Sequence, residues 1–127
     1  MKKDESRGFL LVLVVDDSRL MRLHLKKLLK QHGFTNVIGA KDGTEAIQIY
    51  EYYFPDIVIL DHVLPDKDGI SVLQKIKEIN PMAKVIMHSS LAPDSIVNTA
   101  IKQGAMDFVQ KPNFVQLIQS IEKAFIY

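Results

Sequence analysis

The sequence predicts an α/β domain: a parallel sheet of five strands with helices on both faces. Three observations lead there. Short apolar runs rich in β-branched residues alternate with segments of helical periodicity, and the pair recurs five times. The runs are continuous rather than alternating, as in strands buried on both faces. The connections are a few residues long, and right-handed crossovers then leave few topologies. Pattern alone leaves the strand order open.

Each element has its own justification. Residues 1–8 are polar and read as an N-terminal extension; residues 9–127 form the domain. The run Phe9 to Val15 is the first strand. Ser18 can cap the helix that follows, which carries Met21, Leu25, Leu28 and Leu29 on one face and stops at Gly33. Asn36 to Gly39 is a short second strand. Asp42-Gly43 marks a turn, and Thr44 to Tyr53 is a helix that ends before Pro55. Ile57 to Leu60 is the third strand. The loop His62 to Asp68 leads to Gly69 and a helix reaching Asn80, closed by Pro81. Lys84 to His88 is the fourth strand, and Pro93 opens a helix that stops at Gly104. Phe108 and Val109 form a short fifth strand. Asn113 caps the last helix, with Leu117, Ile118, Ile121 and Phe125 as its stripe.

Composition excludes several functions. The 127 residues make one domain, large enough to bury a core. The net charge of +1 gives no basic footprint for nucleic acid. Without cysteine there is neither a disulfide framework nor a thiolate metal site, which suits a reducing cytosol. No apolar run approaches the roughly 20 residues of a membrane span. The apolar run after the polar start ends in Asp-Asp and lacks a small-residue cleavage site, so it is a strand and not a signal peptide. A cytoplasmic location is expected.

The chemistry is concentrated at strand ends. Asp16 and Asp17 follow the first strand, and Asp61 follows the third. In open α/β sheets ligands bind outside the carboxyl ends of the strands. Three carboxylates gathered there repel one another unless a cation sits among them. With no cysteine and no histidine pair, the donors are hard oxygens, which suit Mg2+. Alone, either acid site reads equally as a solvated turn or a helix cap; together they point to a metal. Ser89-Ser90 after the fourth strand and Lys111-Pro112 after the fifth fall at the same sheet edge. Three carboxylates, a hydroxyl, an ammonium and a divalent ion suit a phosphoryl group. Gly39 to Gly43 superficially suggests a phosphate loop, but no Lys-Ser/Thr follows, so that motif is rejected.

Four segments in this order carry a resemblance: Val14-Val15-Asp16-Asp17; Asp61 with Leu64-Pro65-Asp66-Lys67-Asp68-Gly69; Val85-Ile86-Met87-His88-Ser89-Ser90; and Phe108-Val109-Gln110-Lys111-Pro112. From Leu10 to Ile126 the chain resembles the receiver domain of two-component response regulators, and by length it is similar to the stand-alone chemotaxis-type (CheY-like) members. The resemblance implies a flavodoxin-like (βα)5 fold with strand order 2-1-3-4-5. It implies that Asp61 is the phospho-accepting nucleophile, that Asp17 ligates Mg2+ directly with help from Asp16, and that the backbone carbonyl of Val63 is a further ligand. It makes Ser89 the switch hydroxyl, Lys111 the phosphoryl contact and Phe108 the switch aromatic. In the family the Lys111-Pro112 bond is often cis. Val63 and Leu91 fall where the family lines the path of the water that hydrolyses the phosphoryl group; here both are apolar. The partners implied are a histidine kinase or phosphotransfer protein and a downstream target read on the face of the fourth helix, fifth strand and fifth helix. Neither nucleic acid nor membrane is bound directly, and a monomer is expected.

Some residues depart from the family pattern. His88 stands where an apolar strand residue is usual, and reads as a half-exposed strand-end side chain. His62 lies by the mouth and reads as a surface histidine, as do His24 and His32 on the first helix. Tyr50, Tyr52 and Tyr53 form an aromatic cluster, equally a core edge or a partner contact. Two other function classes compete with the switch. An aspartyl-phosphate phosphatase or phosphotransferase typically has a second acid two residues after its nucleophile; Val63 occupies that place. An inert pseudo-receiver would not need the full acid set and Lys111. The chain is expected not to be an enzyme beyond its own phosphorylation and dephosphorylation. A stand-alone protein is expected over an isolated receiver of a larger regulator.

Overall fold

The computed structural model describes residues 5–125. Five strands alternate with five helices: β1 (Leu11–Val15), α1 (Arg19–Gln31), β2 (Asn36–Ala40), α2 (Gly43–Tyr53), β3 (Ile57–Leu60), α3 (Gly69–Ile79), β4 (Val85–Ser89), α4 (Asp94–Lys102), β5 (Asp107–Gln110) and α5 (Phe114–Lys123). All strand pairs are parallel, in the order β2-β1-β3-β4-β5, which is the flavodoxin-like arrangement.

Two cores lie on the two faces of the sheet. One gathers Leu13, Val15, Val58, Leu60, Val85 and Met87 under α2, α3 and α4. The other gathers Val12, Val14, Ile57, Ile59 and Ile86 under Leu25 and Leu29 of α1 and Leu117, Ile118 and Ile121 of α5. The central strands β1, β3 and β4 are buried on both faces, which is why their sequences run apolar without alternation.

The sequence places the helix starts well. Ser18 accepts from the Met21 N–H, Asp42 from the Glu45 N–H and Asn113 from the Gln116 N–H, each filling donors that a first helical turn leaves open. Gly33 takes the left-handed conformation (φ 90°) after α1. Pro93 caps α4 without a side-chain bond.

Two expectations need correction, those for Phe9 and His88, and the tyrosine reading is resolved in part. Phe9 is not in β1: it ends a 3-10 turn, Glu5–Phe9, and its ring is exposed. That turn is anchored by Arg7, which donates to the His32 carbonyl at 2.9 Å and pairs with Glu122 at 2.9 Å. The tyrosine cluster divides. Tyr50 is buried and accepts a hydrogen bond from Asn80 Nδ2 at 3.1 Å, whereas Tyr52 and Tyr53 are exposed. His88 is 1% exposed, not half-exposed. In a parallel strand successive side chains face opposite cores; His88 falls two residues after Ile86 and shares its buried face.

Candidate functional site

The strand order reverses between β1 and β3, and an α/β sheet opens a crevice at such a point. Asp16 and Asp17 follow β1 directly and Asp61 follows β3. The register pairs Val15 with Leu60, so the acids leave the sheet side by side. Each offers a carboxylate oxygen, and these oxygens lie within 4.8 Å of one another. Asp16 is 2% and Asp61 7% exposed, while Asp17 stands at the mouth in solvent.

Cations and donors answer these charges. Lys111 Nζ reaches Asp16 at 2.7 Å and Asp61 at 2.9 Å. Burial pulls the Lys111 ammonium down, but hydrogen bonds and charge from the two carboxylates outweigh it and hold the group above the ordinary lysine range. Lys111 directly follows β5, its bond to Pro112 is cis, and its backbone N–H donates to the Ser89 carbonyl at 2.7 Å. Ser89 Oγ, buried at the end of β4, donates to Asp61 Oδ1 at 3.0 Å, and the Val63 N–H donates to the same oxygen at 3.2 Å. Asp16 Oδ1 accepts from the Ser18 N–H at 2.9 Å, and Arg22 donates to the Asp16 carbonyl at 2.6 Å.

The donor set fits a hard divalent cation. It is all oxygen, it carries three negative charges against one lysine, and it combines two buried carboxylates with one exposed to solvent. Mg2+ is bound through few carboxylates with waters completing its shell, and the open side at Asp17 suits that.

The remaining residues spread around this centre. Val63, whose N–H bonds Asp61, and Leu91, two residues after Ser89, are exposed, 67% and 87%. Phe108 in β5 is partly buried and packs against the core under α2, α3 and α4. His62 is partly shielded, with Nε2 3.6 Å from Asp68. His24 is exposed on α1 and its ring meets Phe114 at 4.6 Å. His88 lies behind Ser89, its ring 6.0 Å from that of Phe114, and neither ring nitrogen has a hydrogen-bond partner among the described residues. Desolvation, reinforced by Lys111 and opposed by Asp61, lowers its pKa to about 4.

The sequence reading missed Asp66. Its carboxylate accepts from the N–H groups of Gly43 at 2.8 Å and Thr44 at 2.9 Å, and from the Thr44 hydroxyl at 2.6 Å. These partners lie more than twenty residues away in the chain, so no local spacing announces them.

Comparison with known proteins agrees with this geometry. The response regulator receiver domain family matches residues 12–122. The chemotaxis protein CheY of Bacillus subtilis is 41% identical over 101 residues, spanning 80% of this chain and 84% of that protein. A protein-glutamate methylesterase/protein-glutamine glutaminase of Rhodospirillum rubrum is 42% identical over 104 residues; the match takes in 80% of this chain but only 28% of that longer protein. Among solved structures, a chain of the CheX–CheY–BeF3–Mg2+ complex from Borrelia burgdorferi superposes with a TM-score of 0.88 at 34% identity, covering 93% of this chain and 90% of that one.

Proposed function

This chain belongs to the response regulator receiver domain family, and from that we propose that it is a phosphorylation-activated signalling switch whose phospho-acceptor is Asp61. The observation that carries the reading is the gathering of Asp16, Asp17 and Asp61 at one sheet edge with Lys111 bridging two of them.

An Asp61 carboxylate oxygen attacks the phosphorus of a phosphohistidine on a kinase or phosphotransfer protein. The new O–P bond forms as the donor P–N bond breaks, and the donor imidazole leaves with that electron pair and takes up a proton. Bound through Asp16, Asp17, Asp61 and the Val63 carbonyl, Mg2+ would supply positive charge for the phosphoryl oxygens. Lys111 stands beside both acids and supplies a further positive charge. Ser89 Oγ, 3.0 Å from Asp61, donates to a phosphoryl oxygen once the group is attached. Phe108 follows Ser89, and the face of α4, β5 and α5 changes its affinity for a downstream protein. The chain acts as a monomer in the cytoplasm, and its only chemistry is its own phosphorylation and dephosphorylation.

The same domain can serve as one part of a larger regulator, as the methylesterase match illustrates. A phosphatase of the aspartyl-phosphate type is disfavoured, because Val63 stands where such enzymes place their second acid.

Acetyl phosphate with Mg2+ should add one acid-labile phosphoryl group, read as a mass shift. Asp61→Asn should abolish it. An unchanged shift in the variant would overturn the assignment.

A further inference from the structure

We infer that Asp66 is a positioning residue for the acid site: it fastens the 62–68 loop to the start of α2, and through that loop holds the Val63 main chain against Asp61. The inference rests on the proposed function, because Val63 matters only if Asp61 is the reacting group.

The start of α2 is capped twice. Asp42, the residue before the helix, satisfies the Glu45 N–H at 2.8 Å. That leaves the Gly43 and Thr44 N–H groups open, and Asp66 takes both, one with each carboxylate oxygen. The Thr44 hydroxyl adds a third bond to Oδ2. An anion is favoured at a helix N-terminus, and bonds to an ionised acceptor are the stronger kind. The Thr44 hydroxyl is the main cause of a carboxyl pKa lowered to about 2, so Asp66 is charged at neutral pH.

The approach is close because residue 43 is glycine. A Cβ there would stand 3.1 Å from Lys67 Cβ and 2.8 Å from a Val72 methyl. The loop is therefore pressed onto the start of α2.

Other bonds make the loop a stiff unit. Val63 pairs with Asp68 in an isolated antiparallel bridge. Gly69 N–H donates to the His62 carbonyl at 2.7 Å, and Asp68 caps α3 through the Ile70 N–H at 2.8 Å. A pull on Asp66 is thus transmitted to Val63, whose N–H bonds Asp61 Oδ1. Supporting groups outside a metal's own ligands typically change affinity about 10–100-fold when lost.

The test uses the full chain, 15N-labelled. In metal-free protein, Asp66→Ala should speed amide hydrogen exchange not only at Gly43 and Thr44 but also at Val63, by about tenfold. Titration with Mg2+ alone, followed by NMR shifts, should show Kd raised by about tenfold. Asp66→Asn keeps one acceptor oxygen and should fall between. If Asp66→Ala does not fold, Thr44→Val removes the hydroxyl contact alone and should shift both readouts in the same direction by less. Faster exchange confined to Gly43 and Thr44, with Val63 and Mg2+ affinity unchanged, would reduce Asp66 to a helix cap and overturn the inference. Failure of the wild type to take a phosphoryl group would instead remove the proposed function, while exchange at Val63 still decides whether the clamp exists.

Discussion

His88 shows how much one buried side chain can decide. The sequence placed it at a strand end and read it as half-exposed, because a lone histidine carries no periodicity to say which way it faces. The strand runs one residue further, to Ser89, and His88 is enclosed between the sheet and α5. Burial makes the charged imidazolium costly there, and the ammonium of Lys111 adds to the cost, so the group titrates near 4 instead of 6.5. Between those values the unfolded chain binds a proton that the folded chain excludes, so stability falls as pH falls from about 6.5 to about 4 and levels below that. At about 1.4 kcal/mol per pH unit the loss approaches about 3 kcal/mol. His88→Leu should abolish this part of the pH dependence. Urea unfolding of both proteins at pH 7, 5.5 and 4 measures it; curves that fall in parallel would refute the assignment. Asp16, Asp17, Asp61, Ser89 and Lys111 were legible as a group because each falls at the carboxyl end of a strand-like run, and strand ends of a parallel sheet share one edge.

At the scale of elements, legibility followed locality. Caps such as Ser18 and Asn113 bond N–H groups three residues on, and the sequence shows them; Asp42, read only as part of a turn, caps α2 in the same way. Asp66 bonds the start of a helix that precedes β3 in the chain, and nothing in its neighbourhood says so. Phe9 continued the apolar run of β1, yet hydrophobicity alone did not extend the sheet to it; β2 pairs from Leu11 onward. The 62–68 loop carries the next prediction. Val63 and Leu91, which by the family resemblance fall along the path of the attacking water, are both exposed, and neither side chain can hydrogen-bond a water. The phosphoryl group should therefore be slow to hydrolyse. Val63→Asn, which gives the approaching water a partner, should raise the hydrolysis rate by about tenfold, equivalent to about 1.4 kcal/mol of barrier. A phosphate-release time course checks it, and an unchanged rate would count against these residues as the source of a long lifetime.

For the whole molecule, the question is how an event at one sheet edge reaches a lateral face. Alternation of strands and helices gave the class of fold. The strand order came only with the family resemblance, since short crossovers permit more than one order. The order matters to signalling because it puts β4 and β5 side by side, Met87 against Phe108. Ser89 closes β4 and bonds Asp61, and Phe108 packs on the core shared by α3 and α4. A phosphoryl group that holds Ser89 inward would leave room for the Phe108 ring at that core. Phenylalanine has no hydroxyl to satisfy at the surface, so its outward position is the poorer one. The unphosphorylated protein should consequently populate the inward ring substantially, and beryllofluoride should complete the shift. Phe108→Tyr should restore an outward preference: one hydrogen bond to solvent or to the surface is worth about 1 kcal/mol, roughly a fivefold shift of the equilibrium. Aromatic-ring NMR of Phe108 with and without beryllofluoride measures the populations. A ring equally exposed and mobile in both conditions would break the link from Asp61 through Ser89 to the α4–β5–α5 face, whereas an inward ring in both, moved outward by the tyrosine variant, would locate the balance of the switch in this one side chain.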